Sequence, residues 1–132
     1  MSLQVVTGAT RDNERMALRK IVDRLTKPIE ELDRRDLEAY CTRLEATPLD
    51  EVELRHPVRV AGEVRSLRIV PRAGADALEA TVNDGRGSVT AVFLGRRKVL
   101  GLSPGRRIML EGVVAGEGRR YIIYNPVYTL LP

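Results

Sequence analysis

The hydrophobic period of this chain changes once, at Pro57. Before it, apolar residues recur at helical spacing; after it, they alternate. A helix-period segment cannot serve as a strand, so the chain must join a helical part to a β part.

In the helical part, residues 10–46, Leu18, Ile21, Val22 and Leu25 fall at i, i+3, i+4 and i+7, one stripe of a helix. Pro28 interrupts or restarts the turn, and Asp33 is placed to cap a second helix, where Leu37, Tyr40, Cys41 and Leu44 repeat the spacing. Residues 1–9 read as a flexible N-terminus. Helices of this kind, apolar on one stripe and charged behind, either pack on the main domain or dock a protein partner or a second copy. The stretch "ATPLDEV" (46–52) reads as a link.

The β part, residues 55–131, is punctuated by turn residues. "VRVAGEVRSLRIV" (58–70) sets Val58, Val60 and Val64 on one face, with Gly62 marking a bend or bulge. "PRAGAD" (71–76) is a turn, and "ALEATVND" (77–84) points Leu78, Ala80 and Val82 inward. "DGRG" turns the chain into "SVTAVFL" (88–94), with Val89, Ala91 and Phe93 together. "GRRKVLGLSPG" (95–105) does not alternate and fits a short helix or helical turn, ending in a type II turn with Pro104 and Gly105 at its centre. "RRIMLEGVV" (106–114) turns Ile108, Leu110 and Val114 inward, and "AGEG" (115–118) is a hairpin tip. "RRYIIYNPVYTLL" (119–131) is a last strand bent at Pro126. Five such strands bury their apolar faces best by closing on themselves, with a long first strand pairing on both sides of the closure. The predicted fold is therefore mainly β, a five-stranded barrel in the order β-β-β-α-β-β, preceded by N-terminal helices.

Charge separates along the same boundary. Residues 1–50 hold nine Lys/Arg against ten Asp/Glu, and residues 51–132 hold thirteen against eight. The basic excess is nearly all Arg, a planar donor suited to phosphates and to stacking. It points to a polyanion partner.

Other chemistries find little support. Cys41 is the only cysteine, so no internal disulfide forms, and it reads as a buried filler. With His56 also alone, a zinc site lacks ligands. Asp76, Glu79 and Asp84 lack the spacing of a calcium loop and read as solvated carboxylates. No phosphate-binding loop, nucleophile elbow or dinucleotide fingerprint occurs. The expectation is a protein that is not an enzyme and carries neither metal nor cofactor. No apolar run reaches the ~18 residues of a membrane span and no signal peptide opens the chain, so no membrane insertion and a cytoplasmic location are expected.

The G-x-V of the first strand (62–64), the D-G-x-G of 84–87 and the P-G-x-x-apolar-x-apolar-x-G-x-V of 104–114 resemble OB-fold nucleic-acid-binding domains. The pattern is similar to the anticodon-binding type and to the wedge domain of branch-migration DNA helicases. It is closer still to small uncharacterised OB-fold proteins of high-GC Gram-positive bacteria. The resemblance covers about 55–131. It implies a ligand groove over strands 2 and 3, flanked by the strand 1–2 and 4–5 loops.

On that groove, alternation places Thr90 and Val92 outward beside Glu79 and Thr81, and Arg59 and Arg65 on the outer face of strand 1. The strand 1–2 loop brings Arg68 and Arg72, and the strand 4–5 tip brings Arg119 and Arg120. Arg86 sits on a turn, and Arg96, Arg97 and Lys98 follow strand 3. Tyr121 and Tyr124 are the candidate stacking platforms, one of them a possible barrel plug, whereas Phe93 reads as core and Tyr128 as packing. The implied function is weak binding of single-stranded nucleic acid, DNA or RNA, with little sequence preference. The alternative is a protein-interaction module using the barrel or residues 10–46.

Overall fold

The computed structural model describes residues 31–132. Arg35–Pro132 form one compact unit, which holds every described strand. The stripe Leu18, Ile21, Val22 and Leu25, Pro28 and the proposed flexible N-terminus all lie outside the described residues.

Six strands follow in order: β1 (Pro57–Arg72), β2 (Ala75–Asn83), β3 (Ser88–Leu94), β4 (Arg107–Glu117), β5 (Arg120–Tyr124) and β6 (Val127–Leu130). The length of β1 makes closure possible. Its first half pairs with β4 from Pro57↔Val113 to Glu63↔Arg107, and its second half with β2 from Glu63↔Asn83 to Arg72↔Ala75. β2 pairs with β3, β3 runs parallel to β5 at Thr90–Val92, and β5 pairs with β4. The result is a closed ring of five strands, β1-β2-β3-β5-β4 and back to β1, with β6 added on β4.

β1 changes partner at Glu63, and the bulge falls just beyond, where Arg65 is the extra residue between Val64↔Val82 and Ser66↔Thr81. Gly62 lies at this crossing. A Cβ there would sit 2.6 Å from the Asn83 carbonyl oxygen and 2.8 Å from a Val82 methyl. Close backbone approach, besides the bend, therefore demands glycine.

The inner faces are those the alternation predicts. Val60, Val64, Leu78, Ala80, Val82, Val89, Ala91, Phe93, Ile108, Leu110 and Val114 are buried in one cluster with Ile123. Each large side chain among them contributes about 1.5–3 kcal/mol of burial. Phe93 meets Tyr128 edge-on, with centroids 5.8 Å apart and planes at 87°, so both are packing residues as predicted.

Five segments differ from the prediction. The turns read at 71–76 and 115–118 are mostly paired strand, with only Ala73–Gly74 and Gly118–Arg119 left to turn the chain. Residues 95–105 form a loop of turns instead of a helix. Gly95, Gly101 and Gly105 take φ of 72°, 84° and 90°, left-handed values that an α-helix cannot contain. The loop still inserts Val99 into the core, and its type II turn is present, with Arg106 N–H donating to the Ser103 carbonyl at 3.0 Å. The last strand is two strands. Asn125 at φ 48° breaks it, and its N–H and side-chain oxygen bond to Val92 O and Leu94 N–H at 2.7 and 2.9 Å. The stretch read as a link is docked. Leu49 is in the core cluster, and its N–H donates to Asp84 Oδ2 at 2.8 Å. Asp84 Oδ1 accepts the N–H groups of Arg86 and Gly87 at 2.8 and 2.9 Å. Asp84 is thus a buried structural anchor, not a solvated carboxylate.

One helix, α1 (31–43), is described. It is already helical at 31, so Asp33 lies inside it and does not cap it. The stripe from Leu37 onward packs as predicted: Leu37 and Cys41 are buried against Ala61 of β1, with Tyr40 and Leu44 alongside. Arg107 lies over the Tyr40 ring at 4.3 Å. Burial, and then the Asp84 charge, push the Cys41 thiol up to about 11, an inert filler. Among the described residues no helix is long and apolar enough to cross a membrane.

Candidate nucleic-acid interface

The outer face of the ring over β1–β3 follows from register. Thr81 stands opposite Thr90, Asn83 opposite Ser88, and Glu79 opposite both Val92 of β3 and Arg68 of β1. The turn Gly118–Arg119 between β4 and β5 projects beside this face. Together they line a cleft of about 420 Å³ formed by Ser66, Arg68, Thr81, Ser88, Thr90, Arg119, Arg120 and Tyr121. Four hydroxyls, three guanidinium groups and one aromatic ring converge there. Arg119 is exposed and makes no hydrogen bond or ion pair among the described residues.

Beside the cleft lies a charged lattice. Glu79 is only 2% exposed, and its carboxylate accepts from Arg68 at 3.2 Å, Arg72 at 2.9 Å and Arg120 at 3.1 Å. Glu117 accepts from both terminal nitrogens of Arg72 at 2.9 and 3.1 Å, from Arg120 at 3.2 Å and from the Tyr124 hydroxyl at 2.8 Å. Burial alone would raise the Glu79 carboxyl, but hydrogen bonds from Arg72, Arg120 and Arg68 outweigh it and hold it below its ordinary value. The same kind of bonds, led by Arg72 and Tyr124, hold Glu117 down at about 2. Glu117 in turn pushes Tyr124 and Arg72 up.

The structure sorts the predicted site residues into groups. Arg68, Thr90, Arg119, Arg120 and Tyr121 come together in the cleft. Arg72 and Tyr124 are next to it, but Arg72 is spent on Glu79, Glu117 and Tyr124, over whose ring it also lies at 5.7 Å. Val92 is a correction. It points to the outer face but is fully buried, clustered with Ala77 and Ile122. Arg72 bonds Glu79 on β2 and Tyr124 on β5, and so crosses β3 above Val92, which lies between them in register. Glu79 is a second correction, since it is buried and triply bonded instead of solvated. Neither tyrosine plugs the ring: Tyr121 and Tyr124 are 38% and 41% exposed.

The remaining candidates lie elsewhere. Arg59 pairs with Glu111 on the β1–β4 side at 3.0 Å. Arg65, the bulge residue, pairs with Glu63 at 3.3 Å, and Arg86 with Asp50 and Glu51 at 3.1 and 3.3 Å. Arg96, Arg97 and Lys98 follow the Leu94 end of β3, about 20 Å along the strand from Ser88. Arg97 reaches Asp76 at 3.6 Å, and Arg96 lines a separate hollow with Phe93, Leu94 and Tyr128. Asp76 joins no metal-ligating group of three among the described residues.

No protein-family model and no curated protein matches the sequence. Solved structures do. RecG, in its structure bound to a three-way DNA junction, is similar at a TM-score of 0.55 and 19% identity over 63% of this chain and 12% of RecG. The OB domain of a Methanosarcina mazei protein gives 0.51 and 17% over 65% of this chain and 82% of that one. The p204 HINb domain gives 0.51 and 12% over 65% and 47%. This chain thus spans a small part of RecG and about half of the HINb chain. The likeness shows the OB fold, in agreement with the motifs at 62–64, 84–87 and 104–114. The finer resemblances drawn from those motifs have no family match behind them.

Proposed function

We propose that this chain is a non-catalytic OB-fold module that binds single-stranded nucleic acid weakly, with little sequence preference, in the cleft over β1–β3. The observation that carries the reading is the convergence of Arg68, Arg119, Arg120 and Tyr121 on one open cleft. Guanidinium groups track phosphates and a tyrosine face stacks on any base. Weak binding follows from the count. One aromatic ring serves the cleft, and Arg120 shares its donors with the exposed Glu117. Little preference follows from the hydroxyls of Ser66, Thr81, Ser88 and Thr90, which rotate to donate or accept alike. The fold likeness to RecG, solved with a DNA junction, supports the same reading.

The test is a titration of the pure protein with fluorescent oligo-dT, oligo-rU and duplex DNA at two salt concentrations. Both single strands should bind more tightly than the duplex. Log K should fall with log salt at about −0.7 per phosphate contact. No binding at low salt, where a basic cleft binds best, overturns the reading.

A further inference from the structure

The lattice beside the cleft holds two carboxylates in unlike surroundings. The Glu79 side chain is 2% exposed and that of Glu117 is 42% exposed. Arg120 is divided between them, one terminal nitrogen on Glu79 and the other on Glu117. Arg68 and Arg120, which both line the cleft, converge on the same oxygen of Glu79. A long arginine side chain loses rotamer entropy when it is fixed on a ligand, so a fixed buried acceptor behind two arginines holds them ready for one. Glu117 stands in the opposite relation. It is open to solvent and bonds Arg72 through a two-pronged contact of the kind a phosphate makes.

We propose that the two carboxylates act in opposite senses on nucleic-acid binding: Glu79 positions Arg68 and Arg120 toward the cleft, and Glu117 occupies Arg72 and Arg120 as an internal competitor of the ligand phosphate. This rests on the nucleic-acid reading above. A phosphate arriving at Arg120 meets a guanidinium already half engaged and must displace Glu117 to use all of it. Removing Glu117 frees donors at the edge of the cleft. Removing the Glu79 charge leaves Arg68 and Arg120 without the acceptor that aims them, and turns an amide N–H₂ or a weaker oxygen toward Arg72. Glu79 is thus a positioning residue, and Glu117 a brake on affinity.

Three substitutions remove the same single charge: Glu79→Gln, Glu117→Gln and, on the β1–β4 side where it pairs with Arg59, Glu111→Gln. Attraction by net charge alone predicts that all three tighten binding alike. The proposal predicts a split. With oligo-dT, Glu117→Gln should bind several-fold more tightly than wild type, with a salt slope steeper by about 0.7, one added contact. Glu111→Gln should stay near wild type, and Glu79→Gln should bind less tightly than wild type in spite of its lost negative charge. The proposal is overturned if Glu117→Gln is no tighter than Glu111→Gln, or if Glu79→Gln gains as Glu117→Gln does. Circular dichroism checks that each variant folds. Should Glu79→Gln not fold, Glu79→Asp keeps the charge but withdraws it by one methylene, and should also bind less tightly; equal or tighter binding by it overturns the positioning role. Wild-type binding with all variants alike overturns this proposal only, whereas absence of wild-type binding at low salt overturns the nucleic-acid reading and this proposal with it.

Discussion

The two faces of β2 and β3 are built from different physics. Inside the ring, Leu78, Ala80, Val82, Val89, Ala91 and Phe93 are buried against one another, and burial is the whole of their contribution. Outside, Val92 is equally buried, clustered with Ala77 and Ile122, but what crosses it is the Arg72 guanidinium, bonded to Glu79 on β2 and Tyr124 on β5. One face is closed by hydrocarbon, the other by ions that still touch water. The inner face should therefore set how stable the domain is, and the outer face how stability and binding depend on pH and salt.

The sharpest break of that contrast is Phe93→Ala. A 4% exposed aromatic packed edge-on against Tyr128 should cost about 3–5 kcal/mol on removal. Urea unfolding measures it, and a loss under 1 kcal/mol would deny the inner face its role. Glu79→Ala comes next at about 1–3 kcal/mol, the cost of stripping bonds from buried polar groups. It is smaller because its partners Arg68, Arg72 and Arg120 keep 63%, 18% and 40% of their side chains exposed and can turn to water. A cost equal to that of Phe93→Ala would erase the distinction.

Acid separates the faces by shape instead of size. Glu117 titrates near 2 when folded, against an ordinary 4.5, and Glu79 is also depressed. A depressed folded value contributes stability that is present above the unfolded value and lost as pH falls through the folded one. The melting temperature should therefore fall from about pH 4.5 toward 2. Glu117→Gln should flatten that limb, and Phe93→Ala should lower the whole curve without reshaping it. The smallest effect on stability belongs to the cleft. Arg119→Ala and Tyr121→Ala should each stay within about 0.5 kcal/mol of wild type in unfolding. In binding, Arg119→Ala should make the salt slope shallower, and Tyr121→Ala should weaken affinity by about 1–3 kcal/mol at an unchanged slope.

How legible these faces were differs in the same way. The inner residues could be read from period alone, because alternation reports burial on one side of a strand. Val92 points outward as its alternation predicts yet is closed to a ligand, since period 2 says which way a side chain points and not what lies over it. One signal for the Glu79 lattice was present: the turn at Ala73–Gly74 sets Arg72 opposite Ala75, and counting back from it puts Arg68 opposite Glu79. That pair was within reach of the sequence. Arg120 was not, because it arrives from a strand 41 residues away through the parallel contact of β3 and β5. The loop at 95–105 carries no signal against a helix other than its glycines, and in the docked stretch at 46–52 Ala46, Leu49 and Val52 are too few to show a period.

The sequence by itself determined the inward faces of the strands, the hairpin turn at 84–87, the type II turn at 103–106 and the apolar stripe of α1, because each is set by neighbours a few residues apart. It also determined that the basic excess lies in the β part. Only the tertiary structure decided which of those arginines are available. Folding brought Glu79, Glu117 and Tyr124 onto Arg72, paired Arg59 with Glu111 and Arg86 with Asp50, and left Arg119 open beside Tyr121. Charge is a property of residues, but its availability depends on partners far apart in the chain.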